Sequence, residues 1–331
     1  MAHSAPDPAP NSIHRPPPLP TNQRKLAETI REELWFGDED PERTAEQASK
    51  SLAAAAALAA GLKPFPVVAQ RVMQLLADPD TPIPKVRKAI EQDPALTARL
   101  LRVANSALYA PTAPCRSVED AVMRLGARAV TEIVVALATL GMFADAKKGY
   151  GLAFRNHCLC VAAVARVLGT EWRFKGVDHL FLSGLMHDIG KLLAMQVGEI
   201  RYDAIDPAAL ATPDLIHVHE RAFAGYDHAV LGAHVLERWK LPSEISQVVA
   251  LHHQVGRALS IGGNIGLSVA LLRLADEIEF QVRKSRELDE AFVEHLVLDG
   301  SAQYTQFSAD VLRAMWPKFV AACDEALQIT G

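Results

Sequence analysis

The sequence predicts an all-α protein. Apolar stripes of helical period recur along it, prolines fall between those runs, and no sustained apolar/polar alternation of strand type is present. Half of the 331 residues are hydrophobic and 22% are charged. That is the balance of a folded chain, long enough for one large or two ordinary domains with their own cores.

In chain order, residues 1–21 come first. Seven of the 20 prolines fall within the first 20 residues, and no basic segment leads into an apolar run. This is therefore a tail expected to be disordered, not a signal peptide. Residues 22–61 form an N-terminal extension, with helices expected over 22–36 and 43–61, rich in Glu, Arg and Ala. Leu52 to Leu62 is the most apolar early stretch, and it is short of the roughly 20 residues that span a bilayer. No other stretch reads as a span, so no membrane contact is expected.

From Leu62, short helices are expected over 66–77, 83–92, 95–107, 117–125 and 127–143. Asp93-Pro94 supplies an N-cap and an N1 proline for the third. Ser117 caps the fourth, with Asp120 three residues on as a capping-box partner. A second helical block runs from about 152 to 329, and no solenoid repeat is present.

The net charge is −5 and the pI about 6.2. Without a basic excess, a dominant nucleic-acid contact is disfavoured. Cys115, Cys158, Cys160 and Cys323 match neither a disulfide framework nor a zinc-ribbon spacing. They read as reduced thiols of a cytoplasmic protein.

Histidine distribution is the strongest functional signal. Of twelve histidines, nine lie between 157 and 253 and none between 15 and 156. His157 shares a helical face with Val161, Val164, Ala165 and Leu168, so it points inward. His187-Asp188 ends the apolar run that starts at Leu180. His228 shares a stripe with Leu231, Gly232, Val235 and Trp239; His252 continues that of Ile245, Val248 and Val249, with His253 beside it. Asp276 follows Val269 and Leu272 at helical spacing. His234 is expected on the surface beside Glu237 and Arg238, and His179, His217, His219 and His295 as surface or capping residues.

A single inward histidine is usually a hydrogen-bonded core residue. Five of them with two inward carboxylates favour a centre for one or two divalent metals such as Fe, Mn, Ni or Zn. Two such metals bridged by Asp188 would activate water for attack on a phosphoester.

At these positions the sequence resembles the HD superfamily of metal-dependent phosphohydrolases, and more narrowly the HDOD domain, the HD-related output domain of bacterial signalling proteins. The order His157, His187-Asp188, Asp276 carries the first resemblance. The second rests on Leu62-Lys63-Pro64-Phe65-Pro66, Asp93-Pro94-Ala95-Leu96-Thr97, Leu100 to Ala107, Ser117 to Val122 with Leu125-Gly126, and Glu220, His228, Leu231-Gly232-Ala233 and Trp239 to Pro242 before His252-His253. It covers about 62–280. It implies a helical half over 62–150 packed against an HD-like bundle over 151–280, with a C-terminal helical segment over 281–331.

The resemblance further implies that His157, His187, Asp188 and Asp276 hold one metal. His228, His252 and His253, with Asp188 bridging, hold a second. Lys191 stands where related HD-GYP cyclic-di-GMP phosphodiesterases carry the lysine of HDxGK. As a catalytic residue it would neutralise phosphoryl charge; as a helix-end lysine it would answer a C-terminal dipole. Two departures matter. Gln254-Val255-Gly256-Arg257 replaces the DGxGYP loop, and Ala153 stands where some HD-GYP enzymes have a third-metal glutamate. The expected role is a cytoplasmic signalling module that contacts partner proteins. The alternative is a phosphohydrolase taking a nucleotide or other phosphoester.

Overall fold

The computed structural model describes residues 53–60, 66–76, 78, 80–106, 113–141, 150–197, 213–224 and 226–328. The expected tail, the helix at 22–36 and most of that at 43–61 lie outside them. Among the described residues there are helices and no strands, as the pattern of stripes and prolines predicts.

The first half comprises α1 (53–60), α2 (Val67–Leu76), α3 (Ile83–Glu91), α4 (Pro94–Ala104) and α5 (Val118–Gly141). Helices α2 to α5 close around a small core that includes Val72, Ile90, Leu100, Val103 and Ile133. The local signals work as read. Asp93 accepts a hydrogen bond from the Leu96 amide at 2.9 Å, and Pro94 follows at the first helical position. Ser117 and Asp120 form a reciprocal capping box: the Asp120 amide donates to Ser117 Oγ at 3.0 Å and the Ser117 amide to Asp120 Oδ2 at 3.1 Å. Helix α5 breaks at Gly126, whose φ of +83° is open to glycine and costly for other residues. The expected division at 125–127 therefore stands.

The second half comprises α6 (Tyr150–Glu171), α7 (Val177–Met186), α8 (Ile189–Val197), α9 (Pro213–Ala224), α10 (His228–Arg238), α11 (Ser243–Leu251), α12 (Val255–Ile261), α13 (Gly263–Lys284), α14 (Glu290–Leu298), α15 (Gly300–Thr305) and α16 (Ala309–Gln328). Helix α6 packs on α7, α13 and α16, while α10 packs on α11 and α8. Residues after 280 join the same large core: Leu312, Phe319 and Cys323 of α16 are buried in it, as are Ala55 and Ala59 of α1. The Trp172 indole donates to the Thr305 carbonyl at 3.0 Å, tying the end of α6 to α15.

One expectation needs correcting. Leu152–Glu171 is, by length and mean hydropathy, long and apolar enough to cross a membrane. Its residues Cys158 to Ala165 are buried against neighbouring helices, so its apolar character serves the interior of the fold. A stripe reading sees one face at a time and misses a helix that is covered on nearly all sides.

Helices α7 and α8 meet at His187-Asp188, and this break positions both side chains. The pair is followed by Gly190, and a Cβ there would overlap the backbone of His228, with His228 Cα at 2.8 Å. Glycine thus lets the start of α8 lie directly on the start of α10.

Candidate metal centre

The site is built from helix ends and two mid-helix positions. His157 projects from the middle of α6 and Asp276 from the middle of α13. His187 is the C-cap of α7, His228 is the first residue of α10, and His252 is the C-cap of α11 with His253 next. Asp227 fixes the start of α10 by accepting from the Val230 amide at 2.8 Å. The structure brings all seven expected residues together.

Four imidazoles are anchored from behind. His187 Nδ1 donates to the Gly184 carbonyl and His252 Nδ1 to the Val249 carbonyl, both at 2.7 Å. His157 Nδ1 donates to Glu279 at 2.7 Å and His228 Nδ1 to Glu220 at 2.6 Å. A carbonyl can only accept, so Nδ1 carries the proton and the neutral ring presents a bare Nε2 lone pair. This is how outer partners orient metal-binding histidines.

The Nε2 atoms converge in two groups. In one, His228 Nε2 lies 3.2 Å from His252 Nε2, 2.8 Å from His253 Nε2 and 3.1 Å from Asp188 Oδ1. In the other, His157 Nε2 lies 3.2 Å from His187 Nε2 and 3.3 Å from Asp276 Oδ1. Asp188 stands between them, with Oδ2 3.6 Å from His157 Nε2 and Oδ1 3.5 Å from His187 Nε2. Donors about 2.1 Å from a shared cation lie about 3–4 Å from each other, so these spacings suit first-row metals. Asp188 Oδ1 and Asp276 Oδ1 are buried, facing His228 Nε2 at 3.1 Å and His157 Nε2 at 3.3 Å. Such oxygens are costly unless something cationic meets them. The residues present therefore fit a divalent metal.

Titration follows the same division. Burial lowers His187, and it pushes His252 and His253 well below 6.5, reinforced for the last two by neighbouring histidines. Burial also opposes charge on His157 and His228. The Glu279 carboxylate, aided by Asp276 and Asp188, outweighs it at His157, and Glu220 with Asp188 does so at His228. Both rise to about 9. In the metal-free chain each group thus holds one protonated ring facing bare nitrogens.

Lys191 is buried in the first turn of α8, with Nζ 2.6 Å from Asp188 Oδ2 and 5.3 Å from the Phe154 ring centre. The helix-end reading is overturned: Lys191 begins a helix and does not end one. His217 also departs from expectation. It is half-buried on α9, with its ring stacked on His253 at 4.5 Å and 15°, and burial followed by the nearby Arg221 charge lowers it to about 4. His219 and His295 are exposed, and His234 lies 4.0 Å from Glu237 on the partly exposed side of α10. Glu279 was not singled out in the sequence, although it stands three residues beyond Asp276 on the same inward face.

Comparison with known proteins finds the same helical fold. A crystal structure from Shewanella amazonensis, of a protein provisionally named a phosphohydrolase, superposes with a TM-score of 0.67 at 22% identity, covering 84% of this chain and 98% of that one. An HDOD domain protein of unknown function from Geobacter sulfurreducens gives 0.63 at 23% identity, covering 84% and 99%. An uncharacterised protein of Treponema pallidum is 22% identical over 214 residues, 62% of this chain. The match spans 40% of the length of that curated relative. The HDOD domain family model matches residues 62–255, from the start of the α2–α5 half through the paired histidines. With the α2–α5 core, the histidine-bearing helices and that match in agreement, the chain belongs to the HDOD family.

Proposed function

We propose that this protein is a cytoplasmic bacterial signalling module that works through contacts with partner proteins, its second half organised by divalent metal. His157, His187 and Asp276 would hold one ion and Asp188, His228, His252 and His253 another. Glu279 and Glu220 orient His157 and His228. The observation that carries this reading is enclosure. His187, Asp188, His228, His252 and His253 are buried, and only His157, with its side chain 15% exposed, gives the donor set an appreciable edge to solvent. A centre so closed suits a cation that stabilises the fold or reports on its state better than one that admits a nucleotide.

The second reading is a metal-dependent phosphohydrolase, favoured by the completeness of both donor groups and by the buried ammonium of Lys191. Bound metal would then supply Lewis acidity and an activated water. The test is metal analysis of the purified chain, with a phosphoester panel run on the same sample. Bound metal with no turnover above a His187→Ala blank supports the signalling reading. Metal-dependent turnover above that blank replaces it with the hydrolase.

A further inference from the structure

We propose that the centre is asymmetric by construction. The inner position, among Asp188, His228, His252 and His253, keeps its cation as a fixed part of the fold. The outer position, among His157, His187 and Asp276, exchanges its cation with solvent, and Lys191 is the built-in competitor for that second ion. This rests on the metal-centre reading above and adds to it an order of filling and a residue that sets it.

Three observations point this way. The first is donor number: four residues converge on the inner position and three on the outer. The second is access. All four inner residues are buried, whereas the outer group opens at His157, whose side chain is 15% exposed. A cation held by more donors behind more protein leaves more slowly.

The third is how Asp188 divides its two oxygens. Oδ1 lies 3.1 Å from His228 Nε2 and 3.9 Å from His252 Nε2 on the inner side, with His187 Nε2 of the outer group at 3.5 Å. Oδ2 faces His157 at 3.6 Å, and Lys191 Nζ holds it at 2.6 Å. An inner ion meets an oxygen whose near partner, the His228 ring, can shed its Nε2 proton and become a donor to the same ion. An outer ion meets one already paired with an ammonium, and repulsion between two nearby cations is strong where water is scarce. Lys191 has little freedom to withdraw, being buried with its ammonium against the Phe154 ring. The outer position depends on Asp276 for its own charge and fills second.

The experiment uses the full chain and manganese(II) alone as the probe. Protein loaded with excess manganese is desalted and its metal counted, and the chelator-stripped protein is titrated by calorimetry. The expected result is about one equivalent retained after desalting and two classes of site on titration. His157→Ala should abolish the weaker class and spare the tighter one. Lys191→Met should tighten the weaker class by about tenfold or more, within the range that neighbours of metal ligands command, and the charge-preserving Lys191→Arg should not. Two equivalents of equal affinity, or a weaker class that Lys191→Met leaves alone or loosens, would overturn the asymmetry while leaving a metal centre in place. Binding of no manganese by wild type would overturn the metal centre itself. If Lys191→Met fails to fold, retention by wild type and the His157→Ala titration still decide.

Discussion

Glu220 grips His228 twice, accepting from its ring Nδ1 at 2.6 Å and from its backbone amide at 2.8 Å. Both residues are fully buried, so one carboxylate sets the start of α10 and the orientation of a central imidazole together. Glu220→Gln keeps the shape and can still accept from the amide, but it no longer matches the ring charge. We expect manganese affinity to fall by about 10- to 100-fold with the helical content unchanged. Unchanged affinity in a calorimetric titration would show that Glu220 serves packing alone.

Asp188→Ala should do more. It removes the carboxylate that stands between the two donor groups and leaves the Lys191 ammonium buried without its 2.6 Å partner. Breaking a buried pair from one side costs about 3–5 kcal/mol. Metal content and melting temperature should both drop. Equal values in wild type and variant would refute the metal centre.

The inward side chains were legible because they sit in apolar stripes. His157, His228, His252 and Asp276 each share a helical face with hydrophobic neighbours, and burial of those neighbours carries the polar group inward. His217 escaped that logic. It faces His253, a contact across 36 positions that no local spacing on α9 reports. The place of Lys191 was hidden for another reason. The helix break comes at His187-Asp188, where the apolar run from Leu180 ends, with no proline to mark it. The caps at Asp93 and Ser117 were readable because they depend on neighbours three residues away.

Stability of the metal-free chain should peak near pH 6.5. His157 and His228 are raised to about 9, so their contribution is full below the ordinary value of 6.5 and lost as pH climbs through about 9. His252 and His253 act oppositely. They stay neutral in the fold well below 6.5, so the unfolded chain takes up protons that they refuse and stability falls as pH drops below 6.5. Melting in chelator from about pH 5 to about pH 10 should trace a dome. With metal bound the alkaline limb should flatten, since the imidazoles then exchange protons for metal. A melting temperature that climbs steadily from neutral to alkaline pH in chelator would contradict these charge assignments.

Gly190→Ala tests whether the approach of α8 to α10 supports the site. The new methyl would meet His228 backbone, with Cα at 2.8 Å, and backbone cannot rotate aside. Overpacking of this kind costs about 1–3 kcal/mol, and the upper end is expected. Gly141→Ala is the control, because among the described residues a Cβ there meets only Arg99 Nη1 at 3.7 Å. Urea midpoints should separate the two variants clearly. Similar midpoints would show that α8 can shift at no cost, and that Gly190 does not fix the spacing of His187-Asp188 from His228.

Cyclic di-GMP should be hydrolysed slowly or not at all, even with manganese or iron supplied. A metal pair is only part of such an activity, because a large anion must be gripped and aligned before bonds change. The segment after His252-His253 offers no loop for that purpose. Gln254 is followed at once by α12, whose Val255, Gly256 and Ala258 are buried. Helix α12 packs against α13 and α15, so it cannot swing over the metal ligands without breaking that packing. Arg257, the residue of this segment best able to meet a phosphate, is exposed, and its guanidinium donates to Gln254 Oε1 at 3.3 Å. The measurement is a single-turnover assay on metal-loaded protein, with His187→Ala as the blank. Product above that blank, dependent on metal and lost in Arg257→Ala, would place this chain among cyclic-dinucleotide phosphodiesterases and show that α12 substitutes for the missing loop.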